Sequence, residues 1–203
     1  RQKFLLETIK NLKEDLKRIN ITLIIKIGDP VEELTKIILQ QKIENVFLQK
    51  EWTQEEVDEE DKLKSNCNNL NFNTFYSQFL YDPDDLDINN ISNVFTNFRK
   101  HCEKKLKVKD LVEPPKKLLK DNLLTDDYLV PSLLDLGLED FEIDSRSAFK
   151  FKGGHDAAKQ RLDFYLWQSK KINFYKQTRN GLIGQDYSSK FSSWLSNLSL
   201  IHI

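Results

Sequence analysis

Leu5, Ile9, Leu12, Leu16 and Ile19 recur at steps of four and three residues, with Lys10, Lys13, Glu14 and Lys17 between them. That spacing predicts a helix with one apolar stripe and one charged face. The run Ile21-Thr22-Leu23-Ile24-Ile25-Lys26-Ile27 is almost continuously apolar, as in a short strand of a parallel sheet covered on both faces. Gly28-Asp29-Pro30 then supplies a turn, an N-cap carboxylate and a proline at the first helical position, and Glu32 completes a capping-box-like start. Val31, Leu34 and Ile38 form the next helical stripe. Glu44 to Leu48 predicts a second buried strand centred on Val46-Phe47-Leu48, and Thr53 with Glu56 opens an acidic helix to about Lys64. Helix, strand, helix, strand, helix implies an α/β fold with a doubly wound parallel sheet. In it Ile21–Ile27 and Asn45–Leu48 are neighbours, and the first strand is expected to be missing.

From Ser65 to about Ser92 the chain is polar and Asn-rich and reads as a loop, with aromatic anchors at Phe72, Phe75, Tyr76, Phe79 and Tyr81. Val94 to Lys105 reads as a helix. Arg99 to Lys120 is strongly basic and contains Pro114-Pro115, which predicts an extended interdomain linker. Near Phe151 the texture changes: Gly153-Gly154 punctuates, and Ala158, Leu162 and Tyr165 open an amphipathic helix. The expected organisation is an α/β domain over residues 1–93, a helix and linker over 94–152, and the start of an all-helical domain over 153–197.

A length of 203 residues suffices for one good core or two partial ones. The net charge of −1 excludes the whole chain as a polyanion binder, so any nucleic-acid affinity needs a local basic patch. The run from Lys100 to Lys120 is the candidate, and a solvated linker is the competing reading. Cys67 and Cys102 lie far apart, without metal-ligand spacing, and read as reduced thiols of an intracellular protein. Ile21–Ile27 is too short to span a bilayer, so no membrane role is expected. There is no Gly-rich phosphate fingerprint, catalytic-triad pattern or internal repeat. His101 and His155 have no partner spacing that suggests a metal site or a base. The chain begins with Arg1 and contains no Met, so its natural start is expected to be missing.

The C-terminal third is more specific. Phe151-Lys152-Gly153-Gly154, Ala157-Ala158, Arg161-Leu162 and Tyr165-Leu166 are followed by Tyr175-Lys176-Gln177-Thr178-Arg179-Asn180-Gly181-Leu182 and Asp186-Tyr187-Ser188-Ser189-Lys190-Phe191-Ser192. These ordered blocks resemble the segment that opens the helical flavin domain of the photolyase/cryptochrome family, in its DASH branch. Val94-Phe95-Thr96-Asn97-Phe98-Arg99-Lys100 and Gly28-Asp29-Pro30 resemble that family's α/β antenna domain. After Trp194-Leu195 the resemblance ends. Residues 198–203, Leu-Ser-Leu-Ile-His-Ile, look like the translation of a transposase end sequence used in sequencing libraries and are expected to be non-native.

The resemblance implies an FAD flavoprotein with a folate antenna (methenyltetrahydrofolate). It implies blue-light repair of cyclobutane pyrimidine dimers in single-stranded DNA, or, alternatively, a photoreceptor role without repair. It implies that Tyr175, Ser188, Ser189, Lys190, Phe191 and Ser192 sit around the FAD phosphates and ribityl chain, and that Glu51 helps to hold the antenna. No residue of the chain is expected to be catalytic. Taken alone, the serine-rich turn is an N-cap, Tyr175 a half-buried core aromatic, Arg179 a surface ion-pair residue and Glu51 a solvated charge. The register of the blocks favours flavin contact for Tyr175 and the serines. For Glu51 both readings stand, although the carboxyl end of a parallel strand is where open α/β sheets place ligands.

Overall fold

The computed structural model describes residues 1–110, 112, 113 and 115–197. The expected non-native tail at 198–203 and Pro114 of the linker lie outside the described residues. The chain divides into two compact units, one of Lys26–Pro114 and one of Arg1–Ile25 with Pro115–Ile203.

The Lys26–Pro114 unit holds helix α2 (Pro30–Gln41), strand β1 (Asn45–Gln49), helix α3 (Gln54–Asn66), strand β2 (Asn71–Phe75) and helix α4 (Phe95–Lys105); helix α1 (Gln2–Arg18) belongs to the other unit. The Asp29 carboxylate accepts the Glu32 backbone N–H at 2.9 Å, so α2 starts as its sequence predicts. Thr53 stands at the N-cap of α3, but its hydroxyl donates to the Glu56 carboxylate instead of accepting a backbone N–H. β1 and β2 pair in parallel, with Asn45 opposite Asn71 and Gln49 opposite Phe75. Val31 and Ile38 of α2 join Leu63 and Cys67 in a buried cluster, against which Val46 and Phe72 of the strands pack. Alternation puts Phe47 and Phe75 on the other face, where their rings stack at 6.4 Å and stay exposed.

Two expectations are corrected. The partner of β1 is β2, from a stretch read as loop, and Ile21–Ile27 forms no strand, with residues 21–25 half-buried and Lys26 and Ile27 exposed. Continuous apolar character signals burial, whereas a strand also needs a ladder partner. Instead, Leu118 donates its N–H to the Ile19 carbonyl at 2.9 Å and Leu124 donates to the Thr22 hydroxyl at 2.9 Å, isolated bonds that do not repeat as a ladder. β2 was hidden by asparagines, which are depleted in strands. Here Asn71 extends its amide toward Asn45 on the neighbouring strand, 3.3 Å away, while the alternate residue Phe72 faces the core. What stands of the fold class is an α/β chain with a parallel strand pair.

In the other unit, α1 (Gln2–Arg18) packs on helix α5 (His155–Asp163). The join is polar and specific. Glu7 accepts the Gly153 N–H at 2.7 Å, Thr8 accepts the Gly154 N–H at 3.0 Å, and Asn11 accepts the Asp156 N–H at 3.0 Å. Side chains of one helix thus satisfy the unpaired N–H groups that begin another. Both glycines are required by this approach. A Cβ at Gly153 would collide with the Phe4 carbonyl, and Gly154 has a left-handed φ of 99° with Asn11 Oδ1 2.7 Å from where its Cβ would lie. Beside this seam Trp194 is fully buried among Phe4, Phe149 and Phe151 and donates its indole N–H to the Lys152 carbonyl at 3.1 Å.

Candidate functional site

α5 ends in a π-helical turn at Phe164–Gln168, a single-turn widening of the kind often found at functional sites. A short helix α6 (Tyr175–Thr178) and a last helix α7 (Ser192–Leu195) bracket the segment that carries the serine cluster. The Thr178 hydroxyl donates to the Tyr187 carbonyl at 3.0 Å, tying α6 to that segment. Gly181 makes the approach possible, because a Cβ there would lie 3.0 Å from the Cβ of Tyr187.

The centre of the arrangement is Arg161 of α5, only 5% exposed. Its guanidinium donates to the Asp186 carboxylate at 2.8 Å and to the carbonyls of Gln185, Ser188 and Ser189 at 3.1, 3.0 and 3.0 Å. It lies over the ring of Phe151 at 4.7 Å and beside those of Tyr165 and Phe164 at 5.2 and 5.5 Å. A buried charge is tolerated when it is paired and hydrogen-bonded, and this one is both. Tyr165 is fully buried, meets Phe191 edge-on at 6.1 Å, and its hydroxyl has no hydrogen-bond partner among the described residues. Burial pushes its phenol pKa up; the Arg161 charge works against this, while Tyr175 and Asp186 reinforce it.

Around this centre the expected cofactor residues fall as follows. Ser188, Ser189, Lys190 and Phe191 are half-buried, and Ser192 and Tyr175 are exposed. The residue capping α7 is Phe191, with no side-chain cap. Ser189 Oγ comes only to 3.5 Å of the Phe191 N–H, the limit of a hydrogen bond. The N-cap alternative for the serines therefore has little support. Lys190 adopts a left-handed φ of 64°, and its ammonium sits 3.4 Å from the centre of the Tyr187 ring. Arg161 is the member of this constellation to which sequence reasoning assigned no role. The signal was present: an arginine three residues after Ala158 and four before Tyr165 lies on the stripe that helical spacing buries.

Glu51 belongs to the other unit, just past the carboxyl end of β1. Gln49 donates to its carboxylate at 2.6 Å and itself accepts from the Ser77 hydroxyl. Lys50 extends the strand pairing by donating its N–H to the Phe75 carbonyl at 2.8 Å. Its ammonium lies 5.2 Å from the Tyr76 ring, and its pKa is raised chiefly by a hydrogen bond with the Tyr76 side chain. Trp52 stacks on Tyr76 at 5.2 Å and meets Phe79 edge-on at 6.0 Å; about half the surface of Trp52 and Phe79 remains open. An oriented carboxylate beside an exposed aromatic ledge suits a planar ligand that offers N–H donors. In the basic stretch, Lys109 pairs with Asp82. Among the described residues there is no cluster of three or more potential metal ligands, and no helix is long and apolar enough to cross a membrane.

The sequence profile of the DNA photolyase family matches residues 1–118. A curated relative from Xenopus laevis, named cryptochrome DASH, is 38% identical over 97% of this chain and 39% of its own length. Another of that name, from Gloeobacter violaceus, is 37% identical over 97% of this chain and 40% of its own length. Among solved structures, a Synechocystis cryptochrome matches with a TM-score of 0.85 at 32% identity, covering 98% of this chain and 42% of that one. A class III photolyase from Agrobacterium tumefaciens matches at 0.73 and 19% identity over 96% and 40%, a likeness of fold alone. The chain thus spans about two fifths of the length of the curated relatives it matches.

Proposed function

The chain belongs to the photolyase/cryptochrome family, and from that premise we propose that it is part of a DASH-type flavoprotein that repairs cyclobutane pyrimidine dimers under blue light. The observation that supports this most is the loop at 185–192. Arg161 takes up three of its carbonyls, and among the described residues the Ser188 and Ser192 hydroxyls make no hydrogen bond, which leaves them open to the phosphates of FAD. Tyr175 and Phe191 supply ring surface along the ribityl chain, and the Lys190 ammonium offsets negative charge from its place above Tyr187.

Reduced FAD, when bound, supplies the excited-state electron that opens the cyclobutane ring and is recovered afterwards, so the reaction is redox-neutral. The residues of this chain bind and orient the cofactor, and none is assigned to the bond-breaking step. Glu51, oriented by Gln49 and flanked by Trp52, is assigned to a folate antenna (methenyltetrahydrofolate), whose aminopyrimidine edge offers N–H donors. The partner is DNA with a pyrimidine dimer, single-stranded and with the dimer flipped out of the strand. The proposed domains of the complete protein are an α/β antenna domain at 1–93, a connecting segment at 94–152 and a helical FAD domain opening at 153. The 203 residues alone are proposed to be inactive.

The test is a repair assay with the complete protein, reduced FAD and a single-stranded oligonucleotide containing one thymine dimer. Blue light is expected to remove the dimer and darkness to leave it. Light-driven flavin photoreduction with dimers untouched would favour the alternative reading, a photoreceptor without repair.

A further inference from the structure

We infer that Arg161 is the positioning residue of the flavin phosphate loop, shaping it from behind without touching phosphate. This rests on the reading of Ser188, Ser189 and Ser192 given above. The guanidinium has five N–H groups, and four bonds to residues 185–189 occupy nearly all of them. Three of the acceptors are main-chain carbonyls. In a trans peptide the C=O and the following N–H point in opposite directions, and there is no cis bond among the described residues. Each carbonyl drawn to Arg161 therefore turns the next amide away from it. The amides so turned belong to Asp186, Ser189 and Lys190.

Ser189 and Lys190 consequently present two successive N–H groups on the side away from the guanidinium, next to the serine hydroxyls. Lys190 holds a left-handed φ of 64°, a conformation that a residue with a Cβ avoids unless its surroundings impose it. The two carbonyls pinned just before it are what impose it here. Successive backbone N–H groups near a left-handed residue form the concave donor surfaces that take anions.

Arg161 cannot be a phosphate ligand in this arrangement. It is buried, its charge is met by Asp186, and to reach a phosphate it would have to release the carbonyls that shape the loop. Lysine could not replace it, because a single ammonium lacks the planar fork that spans three carbonyls and a carboxylate.

The test uses the complete apoprotein, with FAD as the probe, in four forms: wild type, Arg161→Lys, the Ser188→Ala/Ser189→Ala double variant, and all three changes together. Arg161→Lys is expected to weaken FAD binding about 10- to 100-fold, the scale of one lost hydrogen bond to a charged group. It should also move the phosphorus resonances of bound FAD while leaving the flavin absorption band in place. In the double-serine background the same change should weaken binding again by a comparable factor, because the backbone N–H groups of Ser189 and Lys190 that Arg161 turns are kept when the hydroxyls are removed. Unchanged FAD affinity in Arg161→Lys, or no further loss from it in the double-serine background, overturns the inference. If the double-serine variant binds FAD like wild type, the phosphate reading itself fails and takes the inference with it. If the serine changes weaken binding and Arg161→Lys does not, the inference alone fails. Should Arg161→Lys not fold, Asp186→Asn keeps the guanidinium and loosens its one charged anchor. A loss of about three- to tenfold is then expected, and no loss contradicts the proposal.

Discussion

At the scale of single residues, the molecule turns on two side chains one helical turn apart, Arg161 and Tyr165. The arginine has all but one of its donors occupied, whereas the Tyr165 hydroxyl is fully buried with no partner among the described residues. A buried hydroxyl without a partner costs about 1–3 kcal/mol of desolvation. Tyr165→Phe is therefore expected to leave stability unchanged or raise it by about 1 kcal/mol, read by thermal melting. The pH dependence has a definite sign. The folded phenol pKa lies above its ordinary value of 10.0, first because of burial. Its contribution to stability is complete below pH 10 and is lost as pH rises through the folded pKa. Wild type should thus lose stability relative to Tyr165→Phe only above about pH 10. A difference that instead grew between pH 6 and 8 would mean that another group titrates there. Helical spacing alone placed Tyr165 on a buried stripe, but no spacing shows whether a buried hydroxyl finds a partner.

At the scale of elements, helices were legible wherever period and cap agreed. α2 carries both the Asp29 cap and the stripe through Val31 and Ile38, and it forms as predicted. Ile21–Ile27 failed because its apolar run specifies burial and says nothing of a ladder partner. β2 failed in the opposite sense, because its asparagines outweighed the alternation at Phe72. Gly153-Gly154 was readable as a break, but the reason for it is tertiary, since α1 lays Glu7, Thr8 and Asn11 across the start of α5. Gly153→Ala drives a methyl group into the backbone carbonyl of Phe4, with Thr8 Oγ1 only 2.6 Å away. It is expected to cost about 1–3 kcal/mol. Gly137 has a left-handed φ of 71° with nothing within 4 Å of its would-be Cβ, so Gly137→Ala should cost only the backbone strain of about 1–2 kcal/mol. Urea unfolding of the two variants compares them. Two further readouts check the mechanism: Gly153→Ala should loosen amide protection across α1 and α5, and Gly137→Ala should not. Equal protection in both variants would show that the seam does not join the helices.

At the scale of the whole molecule, the family was legible because ordered blocks persist along the chain, and the relatives bear it out across 97% of its length. The expectation that the serine cluster meets the flavin came by the same route. What escaped was the support behind it, because Arg161 and the 185–189 loop are 24 to 28 residues apart in sequence and meet only in the fold. The account stands or falls on whether that loop holds the flavin phosphates. The direct measurement is an equilibrium FAD titration of the complete protein with Ser188→Ala and Ser189→Ala combined, alongside thermal melting of the apoprotein. Two lost hydrogen bonds to a charged acceptor, each worth about 1.5–3 kcal/mol, predict a fall in affinity of about two to four orders of magnitude with the melting temperature nearly unchanged. A lower melting temperature with FAD affinity intact would contradict the account, since the serines would then serve the fold and not the flavin.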